Sequence, residues 1–110
     1  MKPLKIFDVL TELSDFRRRN LPFIQSLVDL DLMREIGLHQ TRNSPLNLDR
    51  LLQLKIASSA TVQRRLSRLK RLGYVQQAAA EHDGRILYLS LTSKSNRLYR
   101  RLQRKILESR

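Results

Sequence analysis

Leu4, Ile6, Phe7, Leu10 and Leu13 recur at the three- and four-residue spacing of one helical face. Pro3 suits the opening turn of such a helix, because its missing N–H costs nothing there. Arg17-Arg18-Arg19 followed by Asn20-Leu21-Pro22 interrupts or kinks it. A second helical rhythm, Leu27, Leu30, Leu32, Met33 and Ile36, fills Ser26–Gln40 and runs into the turn-prone stretch Thr41–Pro45. Asn47 then offers an N-cap for a short helix whose buried side is Leu48, Leu51, Leu52 and Leu54.

After a break around Lys55–Ala57, Ser58-Ser59 caps the clearest helix of the chain, 59–72. In it Val62, Leu66, Leu69 and Leu72 share a face, and Gly73 ends it. The rhythm then changes. Tyr74–Ala78 predicts a strand, Glu81–Gly84 a hairpin tip and Ile86–Leu91 the returning strand, with Asp83-Gly84 as a turn pair because both residues tolerate positive φ. Thr92 or Ser93 caps a last helix carrying Leu98, Tyr99, Leu102 and Ile106. The predicted fold is mainly α with a small β-hairpin wing: a winged helix-turn-helix with additional N- and C-terminal helices. One domain, 1–110, is expected, with a winged-helix core at 29–92 flanked by dimerisation helices at 1–28 and 93–110.

Charge sharpens this picture. The 110 residues hold 22 Lys+Arg against 10 Asp+Glu, a formal net charge of +12, while 41% hydrophobic residues suffice for a core. Residues 1–54 carry a net +1 and residues 55–110 a net +11, so nearly all the excess lies in the half containing the long helix and the wing. That arrangement suits a face that meets a polyanion. With no cysteine, disulfides, zinc-thiolate sites and thiol chemistry are excluded. No apolar run approaches the ~18 residues of a bilayer span, and no signal-peptide pattern opens the chain, so a cytoplasmic, nucleoid-associated protein without membrane contact is expected.

In a helix-turn-helix the second helix enters the major groove. With Val62, Leu66, Leu69 and Leu72 inward, Ala60, Gln63, Arg64, Ser67 and Arg71 point out. Gln63 can pair bidentately with adenine and Arg64 with guanine, and Ala60 or Thr61 can pack on a thymine methyl. Ser59, Ala60, Thr61, Gln63, Arg64 and Ser67 are therefore the expected base-facing set. Lys55, Ser58, Arg65, Arg68, Lys70 and Arg71 are the expected phosphate contacts. A merely solvated polar face would ordinarily mix Glu with Lys, and residues 55–80 contain no acid. On the wing 76–91, Arg85 is the expected minor-groove side chain, with Asp83 holding it in a reaching rotamer; a turn-stabilising role for Asp83 is the alternative.

Two stretches make the chain resemble the MarR (multiple antibiotic resistance regulator) family of winged-helix transcription regulators. Ser58-Ser59-Ala60-Thr61-Val62-Gln63-Arg64-Arg65-Leu66, leading to Leu69 and Gly73-Tyr74-Val75, is similar to the family's recognition helix. Asp83-Gly84-Arg85, five residues, then Leu91-Thr92 matches its wing signature. The resemblance covers roughly 30–102. It implies major-groove contacts by Thr61, Gln63 and Arg64, a minor-groove contact by Arg85, and terminal helices that interlock in a homodimer. The sequence departs from the family in Ser93-Lys94-Ser95 at the start of the last helix and in Leu52 where a small residue is usual, and the last helix is expected to end where family members usually continue into a further dimerisation helix.

Ile6, Phe7, Leu10, Leu98, Leu102 and Ile106 are the expected dimerisation residues, since two apolar rows on terminal helices exceed what one short helix buries alone. Arg97, Arg100, Arg101, Arg104 and Lys105 share the last helix and are expected to be solvated, to face DNA, or to pair with acids such as Asp8, Glu12 and Asp15. His39 and His82 are the only histidines and show no metal-ligand spacing; no phosphate loop, nucleophile elbow or paired-carboxylate motif is present. No enzyme, cofactor or metal is expected. A small-molecule effector pocket follows from the resemblance, but six aromatic residues give it little support.

The function expected is a sequence-specific double-stranded DNA-binding transcription regulator, a homodimeric repressor. Two other readings stay open: a winged-helix module for a protein or RNA partner, and a non-specific architectural DNA-binding protein.

Overall fold

Four short polar side chains set where helices begin. In the computed structural model, which describes residues 2–108, α1 spans Ile6–Asn20, α2 Leu27–Thr41, α3 Leu48–Gln53 and α4 Ser59–Arg71. β1 (Val75–Ala79) and β2 (Leu87–Leu91) follow, then α5 (Ser93–Gln103), which continues as a π-helical turn over Arg104–Glu108. Residues 1, 109 and 110 of the expected domain lie outside the described residues. Ser26, Asn47, Ser58 and Thr92 each accept a first-turn backbone N–H, from Asp29, Arg50, Thr61 and Ser95 respectively. Those donors have no intrahelical partner, so each cap removes an unsatisfied group. α1 has no side-chain cap and starts at Ile6, which leaves Pro3 outside the helix rather than in its opening turn.

β1 and β2 pair antiparallel with Val75 opposite Leu91, Gln77 opposite Leu89 and Ala79 opposite Leu87. The connection differs from the expected positive-φ turn. Neither Asp83 nor Gly84 has positive φ; among the described residues only Asn43, Lys55 and Gly73 do. The loop is closed instead by Ala80 N–H to the Ile86 carbonyl at 2.8 Å and Ile86 N–H to the Asp83 carbonyl at 3.1 Å. Asp83 Oδ1 accepts the Arg85 N–H at 3.0 Å, so its side chain organises the turn while its φ stays in the ordinary range.

The core is built from Leu32, Met33 and Ile36 of α2, Leu51 of α3, Val62, Leu66 and Leu69 of α4, and Val75, Leu89 and Leu91 of the hairpin. Each such side chain contributes about 1.5–3 kcal/mol on removal from water. Leu46 joins them, and its carbonyl accepts the Leu89 N–H at 2.7 Å, tying the approach to α3 onto β2. At Gly37 an added Cβ would stand 3.1 Å from Leu91 Cδ1, so the small residue lets α2 lie close on β2. Gly73, at φ +84°, supplies the left-handed step that ends α4.

Not every apolar position is used as the periodicity suggests. α3 ends at Gln53, so Leu54 falls beyond its buried side and is exposed, as are Leu27 and Leu72. Phe16 is the buried residue of α1, while Leu4, Ile6, Phe7, Leu10 and Leu13 remain exposed. On α5, Leu98, Tyr99 and Leu102 pack against the chain's own core and Ile106 is half-buried. The row expected to meet a second copy is thus divided: Leu98 and Leu102 are largely used within the chain, and Ile6, Phe7 and Leu10 are uncovered.

Candidate nucleic-acid interface

α4 owes its orientation to an ion pair on one flank. Ser26 Oγ accepts the Asp29 N–H at 3.3 Å, and the Asp29 carboxylate accepts the Gln25 N–H at 2.9 Å, a reciprocal cap at the start of α2. That carboxylate, 0% exposed, also accepts from Arg65 of α4, through Nε at 2.8 Å and through Nη2. Arg68 Nη1 lies 3.7 Å from the same carboxylate and donates to the Phe23 carbonyl at 2.8 Å. Burial alone would raise the Asp29 pKa. The Arg65 hydrogen bond, the Gln25 amide and the two guanidinium charges outweigh it and hold the carboxyl below its ordinary value.

Arg65 and Arg68 therefore do not sit where the sequence suggested. They lie three residues apart on the side of α4 that borders the Val62–Leu66–Leu69 stripe and faces the start of α2. Their guanidinium groups are committed inside the protein. Lys70 occupies the opposite flank, half-buried, with Nζ donating to Gln77 Oε1 of β1 at 2.9 Å.

The outer stripe is open. Ser59, Ala60, Gln63, Arg64, Ser67 and Arg71 are exposed and Thr61 is half-buried. Ser58 Oγ donates to Thr61 Oγ1 at 2.9 Å, and Gln63 Nε2 donates to Ser59 Oγ at 3.0 Å, so the helix start carries an ordered hydroxyl and amide cluster. Among the described residues, Arg64 and Arg71 have no hydrogen-bond or ion-pair partner. Lys55, exposed at φ +54°, forms the turn between α3 and α4.

On the wing, Arg85 Nε donates to Asp83 Oδ1 at 3.1 Å and its Nη2 to Oδ2 at 3.2 Å, while the Arg85 side chain remains 92% exposed. The Arg85 side chain, then its backbone N–H, hold the Asp83 carboxyl below its ordinary value. His82 is exposed beside them. No group of three or more His, Cys, Asp or Glu side chains gathers among the described residues, and none of their helices is long and apolar enough to cross a membrane.

The sequence reading missed Asp29. The usable signal was Ser26-Leu27-Val28-Asp29, a capping pattern with an acid inside an apolar rhythm, set against an α4 with no acid of its own. It also gave little support to a pocket. A cleft of about 760 Å³ nevertheless opens between α1, α2 and α5, lined in part by Leu13, Leu30, Met33, Leu38, Leu91 and Tyr99. Burial pushes the Tyr99 hydroxyl up to about 12.

No family model matches the sequence, and no curated protein sequence matches it. Solved structures do. A transcriptional regulator from Thermotoga maritima superposes with a TM-score of 0.65 at 21% identity, covering 94% of this chain and 68% of that one. A mutant MarR from E. coli complexed with operator DNA gives 0.57 at 15% identity, covering 94% and 72%. Streptococcus pneumoniae FabT in complex with DNA gives 0.52 at 21% identity, covering 96% and 78%. The five helices and two-stranded hairpin have the winged-helix fold of MarR-family regulators.

Proposed function

We propose that the chain is a sequence-specific double-stranded DNA-binding transcription regulator. It acts as a homodimeric repressor in the cytoplasm, at the nucleoid. The observation that carries this reading is the outer stripe of α4: exposed Gln63, Arg64, Ser67 and Arg71, acid-free, on a helix capped by Ser58 and held by Asp29. Two neighbours of the same fold were solved with DNA, one of them with its operator.

The recognition helix 59–72 lies in the major groove. Arg64 reads guanine, Gln63 adenine, and Ala60 and Thr61 a thymine methyl, with Ser59 and Ser67 beside them. Lys55, Ser58, Lys70 and Arg71 meet phosphates; Arg65 and Arg68 leave that set because Asp29 engages them. The wing 76–91 brings Arg85 to the minor groove, its fork steadied by Asp83. In the dimer the exposed row Ile6, Phe7 and Leu10 is covered by a second copy, with Ile106 at its edge. The two recognition helices then address half-sites about 34 Å apart.

Selection of bound duplexes from a random pool should return a pseudo-palindrome, and Arg64→Ala should weaken binding to it by about 1–3 kcal/mol. Unchanged operator binding by that variant overturns the docking. Equal affinity for all duplexes, lost at moderate salt, makes the protein a non-specific architectural binder instead.

A further inference from the structure

We infer that the cleft between the last turn of α1 and the end of α5 is a binding site for a small phosphate-bearing anion, distinct from the outer stripe of α4. This open cleft has a volume of about 480 Å³ and is lined by Phe16, Arg19, Asn20, Arg101, Arg104 and Lys105. Four of the six lining residues are cations and none is an acid. The volume falls within the range of small-ligand sites.

Its parts are partly held in place. Asn20 Nδ2 donates to the Phe16 carbonyl at 3.2 Å, which turns Oδ1 toward α5, where it accepts from Arg101 Nη2 at 3.1 Å. The Arg101 guanidinium also lies 5.8 Å from the centre of the Phe16 ring. One of its five N–H donors is thereby used and its plane is oriented. Arg19 and Arg104 have no hydrogen-bond or ion-pair partner among the described residues. Two acids on the same elements are engaged elsewhere: Asp15 by Arg18, and Glu108 by the Gln103 amide at 3.2 Å.

The negative end of the α1 dipole would oppose an anion. Two of its last carbonyls are already satisfied, Phe16 by Asn20 and Arg17 by the Leu21 N–H at 2.9 Å. A single carboxylate would neutralise only one of Arg19 and Arg104. A di- or triphosphate brings several charges in one compact group, with oxygens that fit guanidinium forks two at a time. A second copy of the same surface would set like charges against each other, so the cleft is not the centre of a symmetric seam.

Calorimetric titration of the full chain with inorganic pyrophosphate, without DNA and at 0.15 M salt, tests the site. One saturable event per chain is expected. Arg19→Ala and Arg104→Ala should each weaken it about tenfold, with the melting temperature of the ligand-free variants unchanged. Arg64→Ala and Arg71→Ala should leave it as it was. Three results would overturn the inference: no saturable binding, equal weakening by Arg64→Ala, or pyrophosphate binding that survives Arg104→Ala. If Arg104→Ala spares pyrophosphate but lowers the salt dependence of duplex binding, the cleft meets DNA phosphates instead.

Discussion

α4 and α5 are both short, amphipathic and rich in arginine, yet their cations meet opposite fates. α4 packs beside the start of α2, which offers the buried Asp29 carboxylate to Arg65 and Arg68. α5 packs beside the last turn of α1, which offers a further cation, Arg19, and the Asn20 amide. One helix therefore spends part of its charge on fixing its own position and presents Arg64 and Arg71 on its outer face. The other gathers charge around a cleft and is held by Leu98, Tyr99 and Leu102 against the core. The chemistry of a basic helix is decided as much by the element it packs against as by its own residues.

Asp29→Asn attacks that contrast at its strongest point. It leaves the Arg65 guanidinium, half-buried, without its counter-charge, and breaking a buried pair typically costs about 3 kcal/mol. Urea denaturation should show that loss, whereas Arg101→Ala on α5, an exposed side chain whose partners are the Asn20 amide and a ring face, should cost less than about 1 kcal/mol. Equal losses would erase the distinction between the two helices. The same pair sets an acid limb. Because folding lowers the Asp29 pKa, its contribution is full above the unfolded carboxylate value of about 3.9 and disappears as pH falls through the lower folded value. Melting temperature should thus drop on acidification below about pH 4, and Asp29→Asn should flatten that part of the drop.

The order of elements was legible because its signals are local. Asn47, Ser58 and Thr92 are caps that can be read within four residues, and the hairpin follows from two apolar runs around Asp83-Gly84. The outer stripe of α4 was legible for the same reason, since 100° per residue places Ala60, Gln63, Arg64, Ser67 and Arg71 together. What periodicity does not carry is the choice made by residues at the border of the buried face. Arg65 and Arg68 could turn either way, and Asp29, 36 residues from Arg65, decides it. The end cleft is likewise a meeting of α1 with α5, with Asn20 and Arg101 separated by 81 positions. Each half taken alone is only a charge run.

Salt dependence sharpens the division within α4 itself. Arg71→Ala should lower the salt slope of operator binding by about 1, as expected when one phosphate contact is lost. Arg68→Ala should leave the slope unchanged and lower the melting temperature instead, because its guanidinium serves the Phe23 carbonyl and Asp29. A slope reduced equally by both variants would place Arg68 on the duplex and overturn the inward assignment.

The smallest expected effect lies where the two helices are entered. α5 follows β2 directly, with Thr92 capping it and donating from Oγ1 to the Gly73 carbonyl at 2.7 Å. α4 is reached through Lys55, a side-chain-bearing residue at φ +54°. A left-handed non-glycine residue costs about 1–2 kcal/mol, and glycine returns about half of that gain through its larger freedom in the unfolded chain. Lys55→Gly should therefore stabilise the fold by no more than about 0.5–1 kcal/mol, the difference of those two terms. Operator binding responds in the opposite sense if Lys55 meets a phosphate, with the salt slope falling by about 1. A variant that gains stability and keeps its full slope shows that Lys55 serves only the turn, and removes it from the phosphate-contacting set.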